Sequence, residues 1–163
     1  MSERRSTILL ADNHPMILTG LRKLLEPEFE AVEMSADGPE LLAAAERLRP
    51  DLVITDIAMS GFNGIEAARR LQASFPRMKV LILSMYVELS YVKSAFDAGA
   101  RGYVPKTSPP EEIEFAVREV LAGRFYVSPV VARAAITRAT RHLTNPPPGG
   151  RLYRTVQPQR MLA

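Results

Sequence analysis

Short apolar runs alternate five times with longer segments of helical periodicity, and no other feature limits the fold of this chain so tightly. The strand-like runs fall at 7–11, 29–34, 51–56, 79–84 and 102–104, and the helix-like segments at 15–26, 38–48, 63–74, 88–98 and 109–122. Ile17, Leu18, Leu21, Leu24 and Leu25 share one face at helical spacing, as do Ile113, Ala116, Val117, Val120 and Leu121. Pro15 and Pro39 suit first-turn positions. Ser108-Pro109-Pro110-Glu111 has the form of a capping box, a serine three residues ahead of a glutamate. Strands that alternate with helices need crossover connections, and right-handed crossovers cover both faces of a parallel sheet. The expected fold class is therefore α/β, a doubly wound parallel sheet.

Chemistry in open α/β sheets gathers in the crevice beyond the carboxyl ends of the strands. Three charged side chains stand at such ends. Asp12 follows the run Ile8 to Leu10, and Asp56 closes the run Leu52 to Thr55 ahead of a turn with Gly61 and Gly64. Lys106 follows Gly102 to Pro105. Two acids and a lysine, far apart in the chain, are thus expected at one point. Asp12 also suits an N-cap for the helix at Pro15.

Bulk properties exclude several classes. There is no cysteine among the 163 residues, which excludes disulfides, thiolate metal sites and thiol catalysis. No apolar stretch approaches the ~20 residues of a membrane helix, and Met1-Ser2-Glu3-Arg4-Arg5 lacks the apolar middle of a secretory signal. A cytoplasmic protein without membrane contact is expected. The net charge of +3 hides a split: residues 124–163 hold seven arginines and no acid, while all 18 acids lie in 1–123. An acidic body argues against nucleic-acid binding by the main domain. The basic end is expected to be a solvated segment, with contact to nucleic acid or another anion as the alternative.

Four segments, in order and at consistent spacing, resemble a bacterial two-component response regulator receiver domain. They are Ile8 to Pro15 with Gly20-Leu21-Arg22, Pro50 to Gly64, Val80 to Tyr86, and Ala98 to Lys106. The similarity is strongest to the NarL/FixJ-type subgroup, in which a receiver precedes a DNA-binding helix-turn-helix domain, and it covers about residues 5–135. It implies a flavodoxin-like, five-stranded sheet of order 2-1-3-4-5 with five helices. The receiver domain is expected over 1–124. Beyond it, Ser128-Pro129 suits the start of a linker helix in 125–145, and Asn145-Pro146-Pro147-Pro148-Gly149-Gly150 forbids regular structure, so a disordered basic tail is expected over 146–163.

The function implied is a phosphoacceptor switch rather than a conventional enzyme. Asp56 would take a phosphoryl group from a sensor histidine kinase, and the state would pass through protein contacts, in the family to transcription control. Mg²⁺ would be held by Asp12, Asn13, Asp56 and the backbone carbonyl of Ala58. Lys106 and Ser84 would bind the phosphoryl group, and Tyr103 would reorient as Ser84 moves. A homodimer is an expected partner, with DNA reached only through an output domain.

Some residues depart from the family pattern. The usual second acid is replaced by Asn13, in a register fixed by His14-Pro15, so weaker metal binding is expected. Ser60 replaces a usual proline, and Pro105 replaces an aliphatic residue before Lys106. Leu143-Thr144 resembles the start of the helix-turn-helix domain, but Asn145-Pro146-Pro147-Pro148 follows, so that domain is expected to be absent. His14 is expected to be structural, since no second histidine is placed to assist it, and His142 carries no site pattern. One rival is a pseudo-receiver that works without phosphorylation. A second is a haloacid-dehalogenase-type phosphatase, which would want an acid where Ala58 stands. A nucleotide-binding fold is disfavoured because no Gly-rich loop follows the first strand.

Overall fold

The computed structural model describes residues 3–35 and 37–144, apart from the side chains of Glu33, Met34, Ser35 and His142. The tail expected over 146–163 lies outside the described residues. In chain order the elements are β1 (Thr7–Asp12), α1 (Pro15–Leu25), β2 (Glu30–Ser35), α2 (Gly38–Leu48), β3 (Leu52–Thr55) and α3 (Gly64–Ser74). They continue with β4 (Lys79–Ser84), α4 (Leu89–Asp97), β5 (Gly102–Pro105), α5 (Pro110–Leu121), β6 (Tyr126–Val127) and α6 (Pro129–Thr144).

The sheet order is β2-β1-β3-β4-β5-β6, and every pairing is parallel. Among the described residues the expected order is present, but the sheet has six strands rather than five, and six helices accompany it rather than the five expected of the receiver fold. The extra strand is only Tyr126–Val127, too short to show any periodicity. Its backbone is fixed by Tyr126 N–H to the Arg101 carbonyl, 2.9 Å, and Ser128 N–H to the Tyr103 carbonyl, 3.0 Å. Helix α6 then starts against the sheet, with Val131 buried in the same core as Tyr103.

Side chains alternate across the strands, so each strand feeds two cores. Leu9, Val53, Val80 and Ile82 meet Leu41, Ala68, Leu71 and Ala95 from α2, α3 and α4. Leu10, Ile54, Leu81 and Val104 meet Leu18, Leu21, Leu25, Ala116 and Val117 from α1 and α5. This is the doubly wound arrangement. With both faces covered, only the strand ends remain open for polar chemistry.

Helix caps differ from expectation in two places. Helix α5 begins at Pro110 behind Pro109 (φ −64°, ψ 154°), with no side-chain cap, so Ser108 does not form the expected capping box. The physical reason is Pro110 itself, which forces the residue before it out of the helical region. Asp12 does not cap α1. The N-cap is His14, without a side-chain cap bond, and Asp12 instead accepts the His14 backbone N–H at 2.8 Å. Asp37 and Asn63 do cap α2 and α3, accepting from Glu40 N–H at 3.0 Å and Glu66 N–H at 2.9 Å.

The start of α3 is pressed against the end of β3. A Cβ placed on Gly64 would meet the Asp56 carbonyl oxygen and carbon, both backbone atoms. Gly64 N–H also bonds the Ile57 carbonyl at 2.9 Å. Gly64→Ala is expected to lower stability by about 2–3 kcal/mol or more, because backbone cannot give way as a side chain can. Urea unfolding of the two proteins checks this, and an unchanged midpoint would contradict the close approach.

Candidate functional site

The two strands that carry Asp12 and Asp56 are neighbours because the chain crosses from β2 over β1 to β3. Their junction is the topological switch point of the sheet, where a crevice opens. Asp12 is the last residue of β1. Asp56 lies one residue beyond β3, tied by its N–H to the Ala11 carbonyl at 3.1 Å. Both acids are buried, 2% and 4% exposed. Lys106 starts two strands away, roughly 10 Å by strand spacing, and its long side chain crosses that gap. Its ammonium lies 2.7 Å from Asp12 Oδ2 and 2.8 Å from Asp56 Oδ2. The residue before it, Pro105, does not prevent this reach.

Every carboxylate oxygen of the pair has a partner. Lys106 donates to both Oδ2 atoms, the His14 N–H to Asp12 Oδ1 at 2.8 Å, and the Ile57 N–H to Asp56 Oδ1 at 2.7 Å. Burial disfavours the charged Lys106, but hydrogen bonds and attraction from Asp12 and Asp56 outweigh it and hold its pKa above the usual lysine range. Two buried anions side by side repel each other. The ammonium of Lys106, in contact with both, offsets that repulsion.

His14, expected to be structural, is the N-cap of α1 and also stands beside the acids. Its ring Nδ1 lies 3.0 Å from Asp12 Oδ1, and His14, Asp12 and Asp56 offer ligand atoms all within 4.8 Å of one another. The nearest available signal was its place two residues after Asp12, which a strand-to-helix turn folds back onto the acid. Asn13 and Ala58 lie beside the acids in the chain and are exposed. Ser60 has a backbone task, its carbonyl accepting Gly38 N–H at 2.9 Å. Two buried carboxylates form a hard, oxygen-rich donor set, which fits a hard divalent cation such as Mg²⁺ better than a soft metal.

Ser84 and Tyr103 form a second group, joined through a residue not singled out from sequence. Ser84 Oγ accepts the Tyr86 N–H at 3.0 Å, and the Tyr103 hydroxyl donates to the Tyr86 carbonyl at 2.5 Å. The Tyr103 ring is fully buried. Burial pushes its phenol up to about 12, with the Ser84 hydroxyl working partly against this. A raised tyrosine pKa means the folded state prefers the neutral phenol. Its contribution is whole below the ordinary 10.0 and is lost as pH rises towards about 12. Tyr103→Phe is expected to cost about 1 kcal/mol at neutral pH, for the lost hydrogen bond. It is also expected to lose less stability than the parent between those two pH values. Urea midpoints of both proteins across that window provide the check, and parallel curves would contradict it.

Residues 8–118 match the response regulator receiver domain family. The chain is 35% identical over 147 residues to the transcriptional regulatory protein DegU of Brevibacillus brevis, covering 89% of this chain and 62% of that protein. It spans about three-fifths of the length of the curated relatives it matches. A crystal structure of a LuxR-family two-component response regulator from Aurantimonas sp. SI85-9A1 superposes with a TM-score of 0.79 at 34% identity, covering 84% of this chain and 99% of that one. The isolated REC domain of RcsB from Salmonella enterica serovar Typhimurium, solved in the presence of phosphomimetic BeF3-, gives 0.73 at 25% identity, over 80% of this chain and 98% of that one. Among the described residues no helix is long and apolar enough to cross a membrane. The chain belongs to the response regulator receiver domain family.

Proposed function

We propose that this receiver is a phosphorylation switch in which Asp56 accepts a phosphoryl group from a phosphohistidine of a sensor kinase. The observation that carries the reading is the Lys106 ammonium held by both Asp56 and Asp12. An oxygen of the Asp56 carboxylate attacks phosphorus, and an O–P bond forms as the P–N bond breaks. The bonding pair stays on the imidazole nitrogen, which takes a proton. Such transfer needs little covalent help but much charge neutralisation. Lys106 supplies one positive charge and exchanges its bond to the carboxylate for one to a phosphoryl oxygen. The Ser84 hydroxyl donates to another phosphoryl oxygen, which releases the Tyr86 N–H and lets Tyr103 follow.

Asp12, Asp56, the Asn13 side-chain oxygen and the Ala58 carbonyl are the proposed holders of Mg²⁺, which supplies further positive charge against the phosphoryl oxygens when bound. The nearby His14 adds a nitrogen that prefers softer ions. The phosphorylated state is relayed through contacts with a second copy or an output domain to transcription control, in the cytoplasm. The similar RcsB receiver was solved with a phosphoryl mimic, and the curated relatives include transcriptional regulators, in line with this reading. Asn13 favours one rival, a receiver that works without phosphate, because it removes a charge from the ion's surroundings.

Incubation with acetyl phosphate and Mg²⁺, followed by intact mass, tests the reading. The parent chain is expected to gain one phosphoryl group and Asp56→Asn none. No incorporation at Asp56 would sink the switch and leave the phosphate-independent rival. In a parallel Mg²⁺ titration, Asn13→Asp is expected to tighten binding by about tenfold, roughly 1.4 kcal/mol for one added charge close to the ion. An unchanged affinity would show that position 13 does not touch the ion.

A further inference from the structure

A second concavity lies at the other pole of the sheet, at the amino ends of β3 and β4. It measures about 620 Å³, within the usual range for small-ligand sites, and Arg4, Arg49, Arg77, Pro50, Asp51 and Phe75 are among its walls. Its charge runs against its surroundings, because the first 123 residues carry a net negative charge. The acid on its rim is already engaged: Asp51 Oδ2 accepts Thr7 N–H at 2.8 Å and lies 3.7 Å from Arg4.

Arg49 is the informative residue. It follows α2 at φ 48°, the only positive φ outside glycine among the described residues. Glycine usually fills that place, because a Cβ is strained there. The strained position holds a long cationic side chain that is fixed in space. Nε donates to the Glu46 carbonyl at 2.9 Å, and the guanidinium lies 4.3 Å over the Phe75 ring. Its terminal nitrogens donate to nothing among the described residues, and Arg77 forms no ion pair there. A preorganised guanidinium with free terminal nitrogens recognises phosphate well. Pro50 and the edge of Phe75 add an apolar wall beside the cations.

We propose that this concavity binds a small phosphorylated molecule through the guanidinium groups of Arg49 and Arg77, with Arg4 at the rim. It lies a full strand length from Asp56 and shares no residue with the phosphoacceptor pocket. It uses arginine side chains, not the Gly-rich loop that α/β nucleotide folds place at the carboxyl ends of their strands. A phosphate ester and free inorganic phosphate share this chemistry, and separate probes distinguish them.

The test is an amide NMR titration of the whole chain with ADP, with pyrophosphate and adenosine as separate probes. ADP is expected to shift the amides around Arg49–Asp51 and Phe75–Met78 saturably, with a midpoint below about 1 mM. Arg77→Ala, at an exposed turn, and Arg49→Asn, which tolerates a left-handed backbone, should each weaken binding about tenfold. Equal shifts with pyrophosphate assign the recognition to phosphate alone, and shifts with ADP only assign it to an ester. Shifts confined to the surroundings of Asp12, Asp56 and Lys106 would overturn the proposal. So would equal shifts from adenosine, a titration that never saturates, or unchanged binding in both variants.

Discussion

A lysine ammonium buried between two carboxylates is an expensive arrangement to leave incomplete. Each of the three charges loses its water, and each is acceptable only while the others stay within hydrogen-bonding distance. That constraint reaches back through the whole fold. Asp12 and Asp56 face each other because β1 and β3 are adjacent, and Lys106 arrives because β4 and β5 continue the sheet on the same side. Gly64 then keeps the turn after Asp56 tight against α3. An approaching anion finds a positive charge already placed, along with an acid that has a partner to exchange.

The same sheet ties the pocket to the far end of the described chain. Ser84 ends β4 two strands from Asp12, and its hydroxyl, the Tyr86 backbone and the Tyr103 hydroxyl form one hydrogen-bonded series. Tyr103 also belongs to β5, whose carbonyl accepts the N–H of Ser128 at the head of α6. Ser84 is thereby linked through the Tyr86 backbone to the buried ring of Tyr103, and through β5 to the segment that leaves the sheet.

Much of this was legible in the sequence because it rests on local pattern. The apolar runs located β1 to β5 within a residue or two, and charged residues after such runs located the pocket. Longer-range and backbone-driven features were not legible. β6 is two residues long and exists only because Arg101 and Tyr103 offer it carbonyls. The cap of α5 was misplaced by one feature, the back-to-back prolines at 109 and 110, whose steric effect overrides the capping pattern. The approach of His14 to Asp12 was not legible, because it depends on the turn between β1 and α1 and not on residue type. Arg49 gave no warning either: its left-handed backbone and its seat on Phe75 appear only once α2 and α3 are packed side by side.

The most direct measurement is a double-mutant cycle on Asp56→Asn and Lys106→Met, with unfolding free energies from urea at neutral pH. If the ammonium of Lys106 is the shared partner of both acids, the two substitutions couple by about 1.5–3 kcal/mol. If their effects add to within about 0.5 kcal/mol, the lysine and the aspartate do not meet in the folded chain, and the convergence of strand ends on which this account stands is wrong.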